Sequence, residues 1–163
     1  MTLKRSFPPV VDAQTRILIC GSLPGDRSLA AQRYYAHPQN QFWRLLSPVV
    51  GRDLAALDYE DRLATLLDAH IGLWDVVATA TRAGSSDAAI RDHAPNDLEQ
   101  LAATLPQLRA IAFNGGTAHK IGLRLMDEHA RRYDLIALPS SSPLHTIGIA
   151  AKQDAWTALR AYL

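Results

Sequence analysis

The sequence predicts an α/β protein: a three-layer α/β/α sandwich built on a central, mostly parallel sheet of four strands. Two observations carry this expectation. Four short runs are apolar throughout, without polar alternation, as strands buried on both faces are. Between them stand segments with apolar residues at three- and four-residue spacing, which is the period of a helix with one buried side. Strands and helices that alternate along a chain pack as crossover units, and these place the strands parallel.

The first run, RILIC at 16–20, leads into GSLPGDRSLAAQRYYAHPQNQFW at 21–43, a segment far longer and more aromatic than a strand-to-helix connection requires. NQFWRLLSPVV at 40–50 has helical spacing, and so does YEDRLATLLDAH at 59–70, with Asp58 in front of it as N-cap. IGLWDVV at 71–77 reads as the second strand. PNDLEQLAATL at 95–105 opens with a Pro-Asn-Asp start signal for a helix, and LRAIAF at 108–113 is the third strand. FNGG at 113–116 then opens a helix over GGTAHKIGLRLMDEHA at 115–130. LIALP at 135–139 is the fourth strand, and AAKQDAWTALRAYL at 150–163 closes the chain as a helix. No repeat, low-complexity tract or linker interrupts this order, so a single domain over residues 1–163 is expected.

Composition narrows the function classes. With 48% hydrophobic and 20% charged residues the chain has the make-up of a globular domain with a sizeable core, and its net charge of +1 carries no information on nucleic acid. No run approaches the roughly 20 apolar residues that span a bilayer, so a soluble, cytoplasmic protein with no membrane partner is expected. The lone Cys20 lies inside an apolar run and can supply neither an internal disulfide nor a multi-thiolate site. His37, His119, His129 and His145 have no spacing that points to a shared metal. No cofactor and no metal are expected, and a monomer is.

In parallel sheets ligands collect at the carboxyl ends of the strands, where every unusual segment of this chain falls. GSLPG could cradle a phosphate on its backbone N–H groups or be a plain tight turn; it lacks the lysine of a P-loop. YYAHPQNQFW is either a stacking platform for a flat ligand or a hydrophobic cluster under the loop. LPSSSPLH at 138–145 offers three hydroxyls for a phosphate and a leucine at its tip, or it is a loop of hydroxyl-stabilised turns. Asp75, a carboxylate inside an apolar strand, calls for a partner or a ligand.

Taken together, GSLPG…YYAHPQNQFW, GLWDVV…GSSD and LPSSSPLH resemble the motifs of the uracil-DNA glycosylase superfamily, and most closely its hypoxanthine-DNA glycosylase branch. The resemblance spans residues 17–163 and implies the same α/β/α fold. It implies an enzyme that flips a deaminated base, hypoxanthine first, out of DNA and hydrolyses its N-glycosidic bond. Leu23 stands where mismatch-specific members carry a catalytic asparagine, and leucine cannot do that work. The resemblance therefore puts the catalytic amide at Asn40; Asp26, in the same loop, is the rival activator of water. It assigns Tyr35 to stacking on the flipped base and Asp75 to reading it, with Leu23 and Asn114 beside them. Gly21, Ser22, Ser140, Ser141, Ser142 and His145 become DNA or phosphate contacts, and Leu144 the wedge that fills the vacated stack. Ser140 replaces a histidine that other members use to stabilise the departing base. Two other readings stay open: a uracil- or thymine-directed glycosylase of the same fold, and a non-catalytic α/β module that binds a nucleotide or a protein.

Overall fold

The computed structural model describes residues 3–127 and 132–163; the end of the segment at 115–130, with His129, lies outside the described residues. The strands are β1 (Leu3–Arg5), β2 (Ile17–Gly21), β3 (Ile71–Asp75), β4 (Val77–Thr81), β5 (Arg91–Pro95), β6 (Ala110–Asn114) and β7 (Asp134–Leu138). The helices are α1 (Asp26–Ala31), α2 (Phe42–Val50), α3 (Tyr59–Asp68), α4 (Leu98–Ala103), α5 (Gly116–Leu125) and α6 (Ile149–Thr157), and the chain ends in a 3-10 turn, Ala158–Tyr162. Among the described residues no helix is long and apolar enough to cross a membrane.

The central sheet has the order β3-β2-β6-β7, and each neighbouring pair is parallel. The expected four-stranded parallel sheet is thus the one observed. Its two inner strands are buried along their whole length. Alternate residues serve opposite layers: Ile17, Ile19 and Ala112 pack with Phe42, Leu45, Leu46 and Trp156 on one face. On the other, Leu18, Cys20, Ile111 and Phe113 pack with Leu98, Ala102 and Ala118. This two-sided burial is why the runs read as uninterrupted apolar stretches. From β2 the chain runs first to β3 on one side and later to β6 on the other, so the connections diverge at the carboxyl ends of β2 and β6 and leave a crevice there.

Three features depart from the expectation. The run at 71–77 is two strands in different sheets rather than one. After Asp75 the chain turns out of the parallel sheet, with Val76 N–H donating to Gly21 O (2.8 Å) and Val77 N–H to Ser22 O (3.0 Å). It continues as β4 in an antiparallel sheet of order β1-β4-β5. Val76 and Val77 stay apolar because both fill the second core, so hydrophobicity does not mark the break. β1 and β5 carry no periodic pattern, and every residue of β5 is exposed; it is held by backbone pairing with β4 and by the Thr81 hydroxyl, which donates to Arg91 O at 3.2 Å. Finally, α1 lies inside the long segment after β2 and is closed by Gln32 in the left-handed region.

Helix α5 sits close on β6 because Gly122 has no side chain. A Cβ there would lie 2.0 Å from Phe113 Cε1, and Phe113 is fully buried with no room to yield. Gly122→Ala is therefore expected to destabilise the fold by about 1–3 kcal/mol despite alanine's better helix propensity. Thermal unfolding followed by circular dichroism measures this, and an unchanged or higher melting temperature would contradict the packing described.

Candidate active site

The carboxyl ends of β2, β3, β6 and β7 open into one cleft of about 630 Å³. At its floor, Gly21 closes β2, and the missing side chain matters: a Cβ would come within 2.8 Å of Asp75 Oδ1 and 3.0 Å of the Tyr35 hydroxyl. Both groups reach the cleft over a bare backbone.

The two adjacent tyrosines have different environments. Tyr34 turns into the core, 4% exposed, with its hydroxyl donating to Pro8 O at 2.9 Å and its ring edge-on to Phe7. Tyr35 lines the cleft and has φ 54°, a conformation that costs a bulky residue on the order of 1–3 kcal/mol unless its surroundings impose it. Those surroundings are present: its ring stacks on Phe42 at 3.7 Å and 10°, Trp43 Nε1 donates to its carbonyl (3.2 Å), and Asn114 Nδ2 donates to its hydroxyl (3.3 Å). The aromatic segment is thus both a core cluster, through Tyr34, Phe42 and Trp43, and a wall of the cleft, through Tyr35.

Past Pro38 the chain turns, with Asn40 N–H donating to His37 O at 3.0 Å. Asn40 Oδ1 accepts from the Phe42 N–H at the start of α2 (3.0 Å), which orients the amide: the oxygen faces the helix end and Nδ2 is left as a donor. On the far side of the cleft the 140–145 loop is folded by its own hydroxyls. Ser142 N–H donates to Ser140 Oγ and Leu144 N–H to Ser142 Oγ, each at 3.1 Å, and these turns raise Leu144 to 68% exposure. Asn114 holds this loop from below. Its Oδ1 accepts from Ser141 N–H (2.9 Å) and its Nδ2 donates to Ser141 Oγ (2.8 Å).

Asp75 ends β3 at 4% exposure, and among the described residues its Oδ2 has no hydrogen-bond partner. Burial, and secondly the like charge of Asp87, push its pKa up to about 7, against a smaller opposing pull from Arg82. Asp87 lines the same cleft and accepts from Ser22 Oγ at 2.5 Å. Arg82 is 1% exposed, lies 4.0 Å from Asp87, and donates to the carbonyls of Gly84 (2.9 Å) and Pro24.

Gly21, Ser22, Leu23, Tyr35, Asn40, Asp75, Asn114, Ser140, Ser141, Ser142, Leu144 and His145 all line this one cleft. Asp26 does not: it starts α1 with its carboxylate paired to Lys4 at 2.5 Å. Ser22 commits its hydroxyl to Asp87, and Asn114 spends both ends of its amide inside the protein. Asp87 and Arg82 carried no role in the sequence reading. GSSD was part of the resemblance, but an acidic residue in a polar run looks like solvated loop, and only the fold turns it inward.

The fold and this cleft define a class. The chain belongs to the uracil DNA glycosylase superfamily, whose family pattern matches residues 8–160. More particularly, a hypoxanthine DNA glycosylase of Methanosarcina acetivorans is 41% identical over 157 residues, covering 96% of this chain and 98% of the relative. One of Methanosarcina barkeri is 39% identical over 153 residues, 94% and 95% of the two chains. The solution NMR structure of a Methanosarcina acetivorans protein, provisionally assigned as a uracil DNA glycosylase, superposes with a TM-score of 0.85 at 41% identity, covering 98% of this chain and 97% of that one.

The raised pKa of Asp75 has a thermodynamic consequence. Because the folded value lies above the ordinary 3.8, the contribution of Asp75 to stability is fully present below about pH 4 and lost as pH rises through about 7. Asp75→Asn removes that loss. The melting temperature of the variant relative to wild type should climb between pH 4 and 8, and a difference that stays constant across that range would contradict the environment described for Asp75.

Proposed function

We propose that the protein is a monofunctional DNA glycosylase that releases hypoxanthine from DNA and leaves an abasic site. The choice of hypoxanthine is supported by the two hypoxanthine DNA glycosylases that this chain matches over most of its length, and the reading of a deaminated base by the buried, unpartnered Oδ2 of Asp75 in a cleft that also holds Tyr35 and Asn40. A sugar–base bond inside a duplex is out of reach, so the nucleotide must be extruded, at a cost of a few kcal/mol that is least for weakly paired bases. Leu144, exposed at the tip of its loop, fills the gap, and the Ser140 and Ser142 hydroxyls, which act as acceptors within the loop, keep their O–H groups to donate to the flanking phosphate.

The extruded base stacks on the Tyr35 ring face opposite Phe42. Ionised Asp75 accepts the N1–H of hypoxanthine, a donor that adenine lacks; an unpaired buried acceptor costs about 1–3 kcal/mol, which disfavours the normal base. Uracil offers an equivalent N3–H, so this contact separates deaminated from undamaged bases rather than one deaminated base from another. Water adds to C1′ as the C1′–N9 bond breaks, the bonding pair leaves with the base, and the proton given up by the water ends on the released hypoxanthine. Asn40 supports both halves of the step. A second lone pair on Oδ1, fixed in place by the Phe42 N–H, aligns the water, and Nδ2 donates as charge develops. Asn40 is preferred to Asp26 for this role because Asp26 stands outside the cleft lining. The substrate proposed is DNA, duplex or single-stranded, and the protein acts on it as a single-domain monomer without a cofactor.

Asn40→Ala is expected to lower single-turnover hypoxanthine release by about a hundredfold or more, while losing in stability only the bond to the Phe42 N–H, about 0.5–2 kcal/mol. Wild-type rates in this variant, with slow rates in Asp26→Asn, would move the chemistry to Asp26. Leu144→Ala should leave stability nearly untouched, in contrast to the about 2–5 kcal/mol of a buried leucine. It should slow release from a paired duplex more than from a single strand. Equal slowing on both substrates would remove Leu144 from the wedge role.

A further inference from the structure

Beneath the two loops that face each other across the cleft lies a cation the mechanism above does not use. Lys152, on α6, is fully buried. Among the described residues no carboxylate pairs with it, so its charge is held by neutral oxygens alone: Nζ donates to Gln41 Oε1 at 2.8 Å and to Ser142 O at 3.3 Å. Burial pulls its pKa below the ordinary lysine value. A desolvated ammonium without a counter-ion is costly, and an aliphatic side chain of similar length would fill the same space without that cost. Helix α6 is also anchored independently of the lysine, by Trp156 Nε1 donating to Pro139 O at 2.9 Å and by the Trp156 ring in the core.

The two oxygens that Lys152 holds belong to different loops. Gln41 is the N-cap of α2 and the neighbour of Asn40; Ser142 accepts from Leu144 N–H and so sets the base of the tip. A second bond joins the same loops, Gln41 N–H to Ser141 O at 2.9 Å. We propose that Lys152 is a positioning residue whose ammonium clips Gln41 to the Ser142 carbonyl, holding the catalytic amide and the wedge in one register. This inference rests on the roles assigned above to Asn40 and Leu144. Lys152 touches neither DNA nor the reacting atoms. It acts by fixing the separation between the group that keeps the nucleotide out of the stack and the group that acts on it. Displacements of about 1 Å in such a constellation change rates by orders of magnitude.

The test compares Lys152→Met, Gln41→Met and the double variant, with Asn40→Ala in parallel, all well below their melting temperatures. Single-turnover hypoxanthine release at saturating enzyme is measured beside the Kd for an undamaged duplex. Each single variant is expected to slow release by about tenfold or more while the Kd moves by less than about threefold. The double variant should be no slower than the slower single, since both break the same clip. A role in stability alone would lower the melting temperature and leave the saturated rate of the folded protein intact. A wild-type rate in either single variant, or slowing in the double equal to the product of the two, overturns the proposal. Should Lys152→Met fail to fold, Gln41→Met decides alone, by the same rate. Wild-type release by Asn40→Ala would sink the reading of Asn40 and this inference with it, whereas slow Asn40→Ala beside wild-type Gln41→Met sinks the inference only.

Discussion

The cleft depends on one buried amide. Asn114, the last residue of β6, is 7% exposed and uses both ends of its side chain: the oxygen takes Ser141 N–H, and the nitrogen serves Ser141 Oγ and the Tyr35 hydroxyl. Three segments that are distant in sequence meet there. Satisfied on all sides, such a group adds little net stability, but leaving its partners unpaired in a dry site would cost about 1–3 kcal/mol each. The arrangement therefore has few neighbouring alternatives. It holds Tyr35 in a backbone conformation it would not otherwise keep, and it fixes the height of the serine loop over the sheet. Sheet topology puts Asn114 at that junction, since β6 is the inner strand beside the divergence from β2.

A second constraint is electrostatic. Asp75 and Asp87 face one cleft, and burial raises the pKa of both; the Ser22 hydroxyl and Arg82 relieve Asp87 but leave Asp75 with an unpaired oxygen. A fold under selection for stability alone would not keep a carboxylate in that position. Its cost becomes intelligible if a donor on a bound base supplies the missing hydrogen bond. Arg82, tied to the carbonyls of the turn after β2, holds that turn in place while remaining fully out of solvent.

Much of this was legible in the sequence, for identifiable reasons. The four parallel strands could be read because burial on both faces leaves an unbroken apolar run, and the site residues expected from the resemblance converge, Asp26 excepted, because the segments that carry them follow the carboxyl ends of the strands. The superfamily expectation is met by the family pattern and by relatives that share about two-fifths of their residues with this chain. What could not be read depends on tertiary pairing. Val76 and Val77 are apolar core residues at the break between β3 and β4, and every residue of β5 is exposed, so neither feature leaves a hydrophobic signature. Lys152 and Arg82 look like surface cations in a polar context, and nothing local reveals that they are fully buried. The assignment of Asp26 alongside Asn40 came from shared loop membership, and the loop contains a helix, α1, that carries Asp26 to the Lys4 side.

The central claim is that this cleft reads and releases hypoxanthine. The most direct measurement is single-turnover base release from matched duplexes carrying hypoxanthine, uracil, xanthine or mismatched thymine at one position, scored by cleavage at the resulting abasic sites. Hypoxanthine is expected to be released fastest, with adenine in the same position untouched. No abasic sites from the hypoxanthine duplex, or release of uracil well ahead of it, would contradict the account.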